Sequence, residues 1–342
     1  MRRILSFLVI VFTVQAGVLL VYARGQQEHP PDLRNITPAQ VEAAYVHGTI
    51  DVVISTKEGF VLATDSRATL TALNGAESHS DDAQKLFTIG KTSACVIAGL
   101  IGSDMQMEGF RLRDAMGTHL VMLHQRASTQ DRPISASEIA QSFTFGLEGV
   151  AGLLPPSTPP SIGMVGAVSA VSVSPNGEPD WITLVLPLTR AHGGPTNAEY
   201  FTVGTPLYLH HSLNIGLRFG VEAIGQPQLV NALIKANEPS PGIEFSNSAV
   251  MRRFYERKRQ GHLDEYSLQE AVDLAKALVA ATIEILPPQA GVGGPIDVLT
   301  VTKNGTLWLS KKEHVAPFPP PYHARFFWSA FGGEGQPLDP FE

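Results

Sequence analysis

Cysteine is almost missing from this chain: Cys95 is the single one in 342 residues. An intrachain disulfide is therefore impossible, and a cysteine-based metal cluster is excluded. Cys95 lies in the apolar run Ser93-Ala94-Cys95-Val96-Ile97-Ala98, where it reads as a small core residue and not as a nucleophile. Blocks of positive charge are missing too. The 25 Lys and Arg are scattered among 32 Asp and Glu for a net charge of −7, so nothing grips a run of phosphates and no nucleic-acid partner is expected. The 11 histidines, His210-His211 included, have no metal-ligand spacing with carboxylates and read as structural or surface residues. Neither a metal nor a cofactor is expected. Charge is modest at 17%, whereas hydrophobic residues reach 44%, which rules out a long disordered protein and allows a large buried core. The length fits one large domain with extensions or two small ones.

One long apolar run is present. Arg2-Arg3 precede a stretch from Ile4 to Ala23 interrupted only by Ser6, Thr13, Gln15 and Gly17. Val21-Tyr22-Ala23 closes it with a small residue, as at a signal-peptide cleavage site. At roughly 20 residues the run also approaches the length of a membrane span. Residues 1–23 thus read as a signal peptide or membrane anchor, making the protein exported (periplasmic or extracellular) or anchored with transient membrane contact; a cytoplasmic location is the alternative. Residues 24–48 are polar and contain His29-Pro30-Pro31. Thr37 is placed to cap a short helix with Pro38 at its first position, and the segment reads as a propeptide.

Beyond residue 48 the pattern becomes strand-like. Ile50 to Ser55 and Gly59 to Thr64 alternate around Lys57-Glu58-Gly59 as a β-hairpin, and Leu86 to Ile89 and Ala94 to Leu100 continue as strands. Apolar spacing predicts a helix from Asp104 to about Arg126, and a second from Ser135, with Glu138 three residues on, to about Leu153. Strands follow at Ile162 to Ser174, Trp181 to Leu188 and Tyr200 to Val203, then a helix from Ser267 to Ile285, then strands at Ile296 to Thr302 and Thr306 to Ser310. This order predicts an α+β protein with two stacked antiparallel sheets between helical layers, and not an alternating parallel sheet. Residues 210–263 carry two weak helical patterns and read as an insertion. Residues 312–342 form a Pro- and aromatic-rich tail.

The stretch from Gly48-Thr49-Ile50 through Ala63-Thr64-Asp65-Ser66-Arg67-Ala68-Thr69, followed by Gln84-Lys85-Leu86 and Ala98-Gly99, resembles the opening of mature proteasome β-subunits, a family of N-terminal-nucleophile (Ntn) hydrolases. Four motifs fall in register over about fifty residues, which makes the pattern specific although each motif alone is weak. The resemblance extends more loosely through Thr202-Val203-Gly204-Thr205, the helix from Ser267, and Ile296-Asp297-Val298. It implies a four-layer αββα sandwich over residues 49–311 and a threonine-type peptidase acting on peptides or unfolded chains, assembled as a homo-oligomeric ring.

On that pattern the precursor is cut between Gly48 and Thr49, where a glycine allows the contorted backbone of self-attack. Thr49 is then both nucleophile and, through its freed α-amine, base. Lys85 is implied beside the hydroxyl, Asp65 as the partner that aims Lys85, the Gly99 N–H as oxyanion donor, and Thr205 as a hydroxyl near the amine. Ala68, Ile97 and Ile101 are implied as the lining of an apolar P1 pocket. One departure stands out: where the family has an Asp and a Ser supporting the amine, this chain has Gln289 and Val292, so that support is missing or rebuilt. Two other functions compete. One is an exported Ntn amidase cleaving a small acyl amide, and the other a catalytically silent structural subunit.

Overall fold

In the computed structural model, residues 49–312 are described except for 72–76, 82, 100–105, 108–109, 112–119, 121, 127–132, 154–164, 194–197, 213–217 and 239–245. The architecture begins with the hairpin of β1 (Ile50–Thr56) and β2 (Gly59–Thr64), in register from Asp51 opposite Thr64 to Thr56 opposite Gly59. Gly59 makes the return possible. Its φ is +149°, and a Cβ there would lie 2.2 Å from the Val301 carbonyl oxygen, a contact that only glycine avoids. All thirteen residues of these two strands are buried, so the hairpin must be covered on both faces.

It is covered by two different layers. Ile50, Val52 and Ile54 face a helix-side core, whereas Val53, Phe60 and Leu62 face a second sheet, as the two-residue period of a strand requires. The first sheet has the order β13 (Gly220–Gly225), β1, β2, β14 (Asp297–Thr302), β15 (Gly305–Ser310). The second runs β11 (Ala198–Val203), β10 (Pro179–Gly193), β9 (Val165–Val173), β6 (Ser93–Gly99), β5 (Leu86–Thr88), with β12 (Leu207–Ser212) also paired to β10. Both are antiparallel. Phe60 packs edge-on against Trp181, ring centres 5.8 Å apart, to join the sheets. The Trp181 indole donates to Ser169 Oγ at 2.9 Å, which satisfies the ring's polar edge inside the core.

Helices cover the outer faces. Helix α1 (Ala136–Leu153) packs on the second sheet through Ile139, Phe143 and Leu147. Its start is fixed by Ser135, whose hydroxyl accepts from the Glu138 N–H while Glu138 accepts from Ser135 N. Helices α2 (Gln228–Lys235), α3 (Ser248–Gln260) and α4 (Leu268–Ile285) share the core on the first sheet. A full capping box of Ser267 and Glu270 opens α4. The chain is therefore a mixed α+β sandwich of two antiparallel sheets with helices on the outer faces.

Two expectations change. The helix predicted from Asp104 is not continuous, because β7 (Gln106–Met107) pairs with β8 (Phe110–Arg111), and helix is described only at Leu120 and residues 122–126. Residues 210–263, expected as an insertion, supply β13 on the edge of the first sheet together with α2 and α3. The segments expected as signal, propeptide and tail, 1–48 and 313–342, lie outside the described residues. Among the described residues, no helix is long and apolar enough to cross a membrane.

Candidate active site

Thr49 precedes β1 by one residue and is 4% exposed. Its carbonyl accepts from Gln226 N at 2.8 Å, so the chain just past β13 fixes the backbone of this residue. Gly225, at φ +86°, lies so close that a Cβ there would be 2.0 Å from the Thr49 carbonyl oxygen.

Asp65 follows β2 directly and returns to the same end of the first sheet. Its Oδ1 accepts from Ile50 N at 3.0 Å and from Lys85 Nζ at 2.7 Å, and its Oδ2 accepts from Gly293 N at 2.9 Å and Arg67 N at 3.2 Å. Lys85 comes from the other sheet. It immediately precedes β5, and its carbonyl accepts from Ile97 N at 2.9 Å while its ammonium crosses to Asp65. Both side chains are fully buried. An ion pair this dry is maintained only when further hydrogen bonds replace lost water, and Asp65 has three from the backbone. One of these comes from the amide next to Thr49, so a single carboxylate oxygen joins the lysine to the start of β1.

The polar cluster extends past the expected residues. Asp51, Thr64 and Asp297 stand opposite one another across β1, β2 and β14. Asp297 pairs with Lys312, the two side chains 2% and 4% exposed, and Lys312 Nζ donates to Ser66 Oγ at 3.1 Å. Burial pulls the Lys312 ammonium below its ordinary range, opposed by the Asp297 bond. Asp51 is fully buried, and loss of water holds its carboxyl well above the usual carboxylate range, with the Lys85 charge opposing. Arg67 forks onto Asp81 at 2.7 and 3.1 Å; that bond raises the guanidinium and lowers the carboxyl.

No protein-family model matches this chain, and no curated protein matches it.

The loop before β14 takes an unexpected part. Val292 is buried in the helix-side core and offers no hydroxyl; the side chain of Gln289 lies outside the described residues. The backbone of Gly293 binds the Asp65 segment. Its N–H binds Asp65, and its carbonyl accepts from Ser66 N at 3.1 Å and Arg67 N at 3.0 Å. A Cβ at this position would sit 2.4 Å from Arg67 Cζ.

The remaining expected residues are more dispersed. Gly99 ends β6 with φ +96° and is exposed, two residues beyond Ile97, whose N–H meets the Lys85 carbonyl. Thr205 is exposed past the end of β11, and among the described residues no hydrogen bond joins it to Thr49. Ile97 is fully buried in the α1-side core with Phe87 and Phe143. Ala68 opens β3 (Ala68–Thr71), opposite Ser80 of β4 (Glu77–Ser80). Gly48 and Ile101 lie outside the described residues. Cys95 is buried in the same core as Ile97, and burial pushes its thiol far up. Among the described residues no group of three His, Cys, Asp or Glu is placed to hold a metal.

Sequence reasoning missed Asp51, Thr64, Ser66, Gly293, Asp297 and Lys312. A signal for Asp51 was there: a carboxylate inside the apolar run Ile50-Asp51-Val52-Val53 needs a partner or a proton.

Proposed function

We propose that this chain is an Ntn hydrolase of the proteasome β-subunit type, a four-layer αββα threonine endopeptidase that matures by cutting itself before Thr49. The observation that carries the reading is the dry Asp65–Lys85 pair hydrogen-bonded to Ile50 N, the amide adjoining Thr49. A structural ion pair has no need of that position, whereas a threonine nucleophile needs a cation held there without water.

In the precursor the Thr49 hydroxyl attacks the Gly48 carbonyl, the peptide C–N bond breaks, and the acyl group passes to the oxygen as an ester. Water hydrolyses the ester, releasing the propeptide carboxylate and leaving a free hydroxyl and α-amine. An α-amine titrates near pH 7.7–8.0, so at neutral pH part of it is free to take the hydroxyl proton as the oxygen attacks a substrate carbonyl. The Lys85 charge favours the developing alkoxide. The Gly99 N–H stabilises the oxyanion, the amine passes the proton to the leaving group, and water releases the acyl product.

The fixed positive charge is testable by Lys85→Ala. Asp65 then loses its cation inside the fold, which should lower stability by about 3–5 kcal/mol, and in the protein that folds, turnover of a fluorogenic peptide should fall by roughly 1,000-fold or more. Retention of most of the peptidase activity would contradict the assignment.

A further inference from the structure

Three carboxyls and two ammonium groups meet at this end of the sheets. Asp65 is taken by Lys85 and Asp297 by Lys312. Asp51 remains, fully buried, its Oδ1 bonded to the Thr64 hydroxyl and its Oδ2 without a hydrogen-bond partner. The Thr64 oxygen also lies 2.9 Å from the Asp65 carbonyl. A hydroxyl has one proton to give, and a carbonyl oxygen can only accept. One Thr64 proton cannot fully serve both acceptors, so both contacts are complete only when Asp51 carries a proton and donates it to Thr64.

We propose that Asp51 is a positioning residue that works as a neutral carboxylic acid: it donates to Thr64, Thr64 donates to the Asp65 carbonyl, and the absence of charge leaves the Lys85 ammonium to Asp65 alone. The catalytic part of this inference rests on the proposed role of Lys85. Other groups facing this layer agree with a neutral Asp51. Cys95 on β6 is a buried neutral thiol, Glu222 on β13 is a half-buried carboxyl that loss of water pushes up to about 7, and the Lys312 charge is matched by Asp297. An ionised Asp51 would add uncompensated negative charge in a dry layer, draw Lys85 away from Asp65, and turn the Thr64 hydroxyl around. Turnover should then decline on the alkaline side as the proton leaves.

The test uses the full chain labelled with carbon-13 at the aspartate carboxyls, the Asp51 signal being identified by its loss in Asp51→Asn. At neutral pH that signal should sit at the protonated position. An ionised Asp51 under these conditions overturns the proposal whether or not the chain cleaves peptides, so failure here is separate from failure of the peptidase reading. In kinetics, Asp51→Ala should lose roughly 30-fold or more in turnover, and Asp51→Asn, whose amide can donate to Thr64, should restore most of it and shift the alkaline limb. An Asn variant as poor as the Ala variant, or an unmoved limb, overturns the positioning role. Should Asp51→Ala fail to fold, Thr64→Val removes the same link at similar volume; full turnover in that variant also overturns it.

Discussion

In the proposed reaction, position matters more than chemical type at Thr49, because the same hydroxyl elsewhere on a strand would be inert. Two contacts set it: the Gln226 amide on its carbonyl and the close approach of Gly225. Gly225→Ala puts a methyl 2.0 Å from the Thr49 carbonyl oxygen at φ +86°, and strain of that kind costs on the order of 1–3 kcal/mol. The damage should fall on chemistry as well as stability, since relief requires moving the start of β1. Cleavage at Gly48-Thr49, followed by gel shift after refolding, should slow by roughly tenfold or more in this variant. Processing at the wild-type rate in a folded Gly225→Ala protein would show that Gly225 does not position Thr49.

At the scale of elements, the caps can be separated from the chemistry. The Ser267–Glu270 box at the start of α4 supports the helix-side core and touches none of the site residues. Ser267→Ala should cost about 1 kcal/mol, read as a lower thermal midpoint, with peptide turnover of the folded protein unchanged. A large loss of turnover without loss of stability would tie α4 to the site in a way this structure does not show. The start of α4 at Ser267 was legible in the sequence, as were the β1–β2 hairpin and the start of α1, because each is specified by residues within a few positions of one another. What was not legible depends on long-range pairing. Glu222 and its neighbours in β13 find their strand partner in β1, some 170 residues earlier, and their run of 6 residues is too short to declare itself. Lys312 finds Asp297 because β15 turns back on β14, and Gly293 acts through backbone atoms that carry no compositional sign. At the site, Thr49, Asp65 and Lys85 were reached only through the resemblance to the opening of proteasome β-subunits; the surroundings of Asp51 and the Gly293 contacts to the Asp65 segment required the fold.

Across the whole molecule, carboxyls withdrawn from water couple stability to pH. Glu222 is pushed from 4.5 up to about 7 by burial, opposed by a hydrogen bond with Thr183. The folded chain keeps this proton where the unfolded chain has released it. Stability from Glu222 is thus complete below the unfolded value and is lost as pH rises through about 7. Asp51, also raised by burial, slopes in the same direction. Glu222→Gln should flatten the decline and leave the variant more stable than wild type on the alkaline side by an amount on the order of 2–3 kcal/mol. Denaturant midpoints across the neutral range provide the check, and an unchanged slope would mean Glu222 is already ionised in the folded chain.

The mass of the mature chain bears most directly on the central claim, because one hydroxyl is assigned both self-cleavage and turnover. Purified wild-type protein should have Thr49 as its N-terminus, and Thr49→Ala should retain the residues up to Gly48, apart from any signal peptide removed near Ala23. Thr49→Ser should still be cut, since the hydroxyl remains. A Thr49→Ala chain that nevertheless begins at residue 49, or a wild-type chain left intact across Gly48-Thr49, would contradict the account.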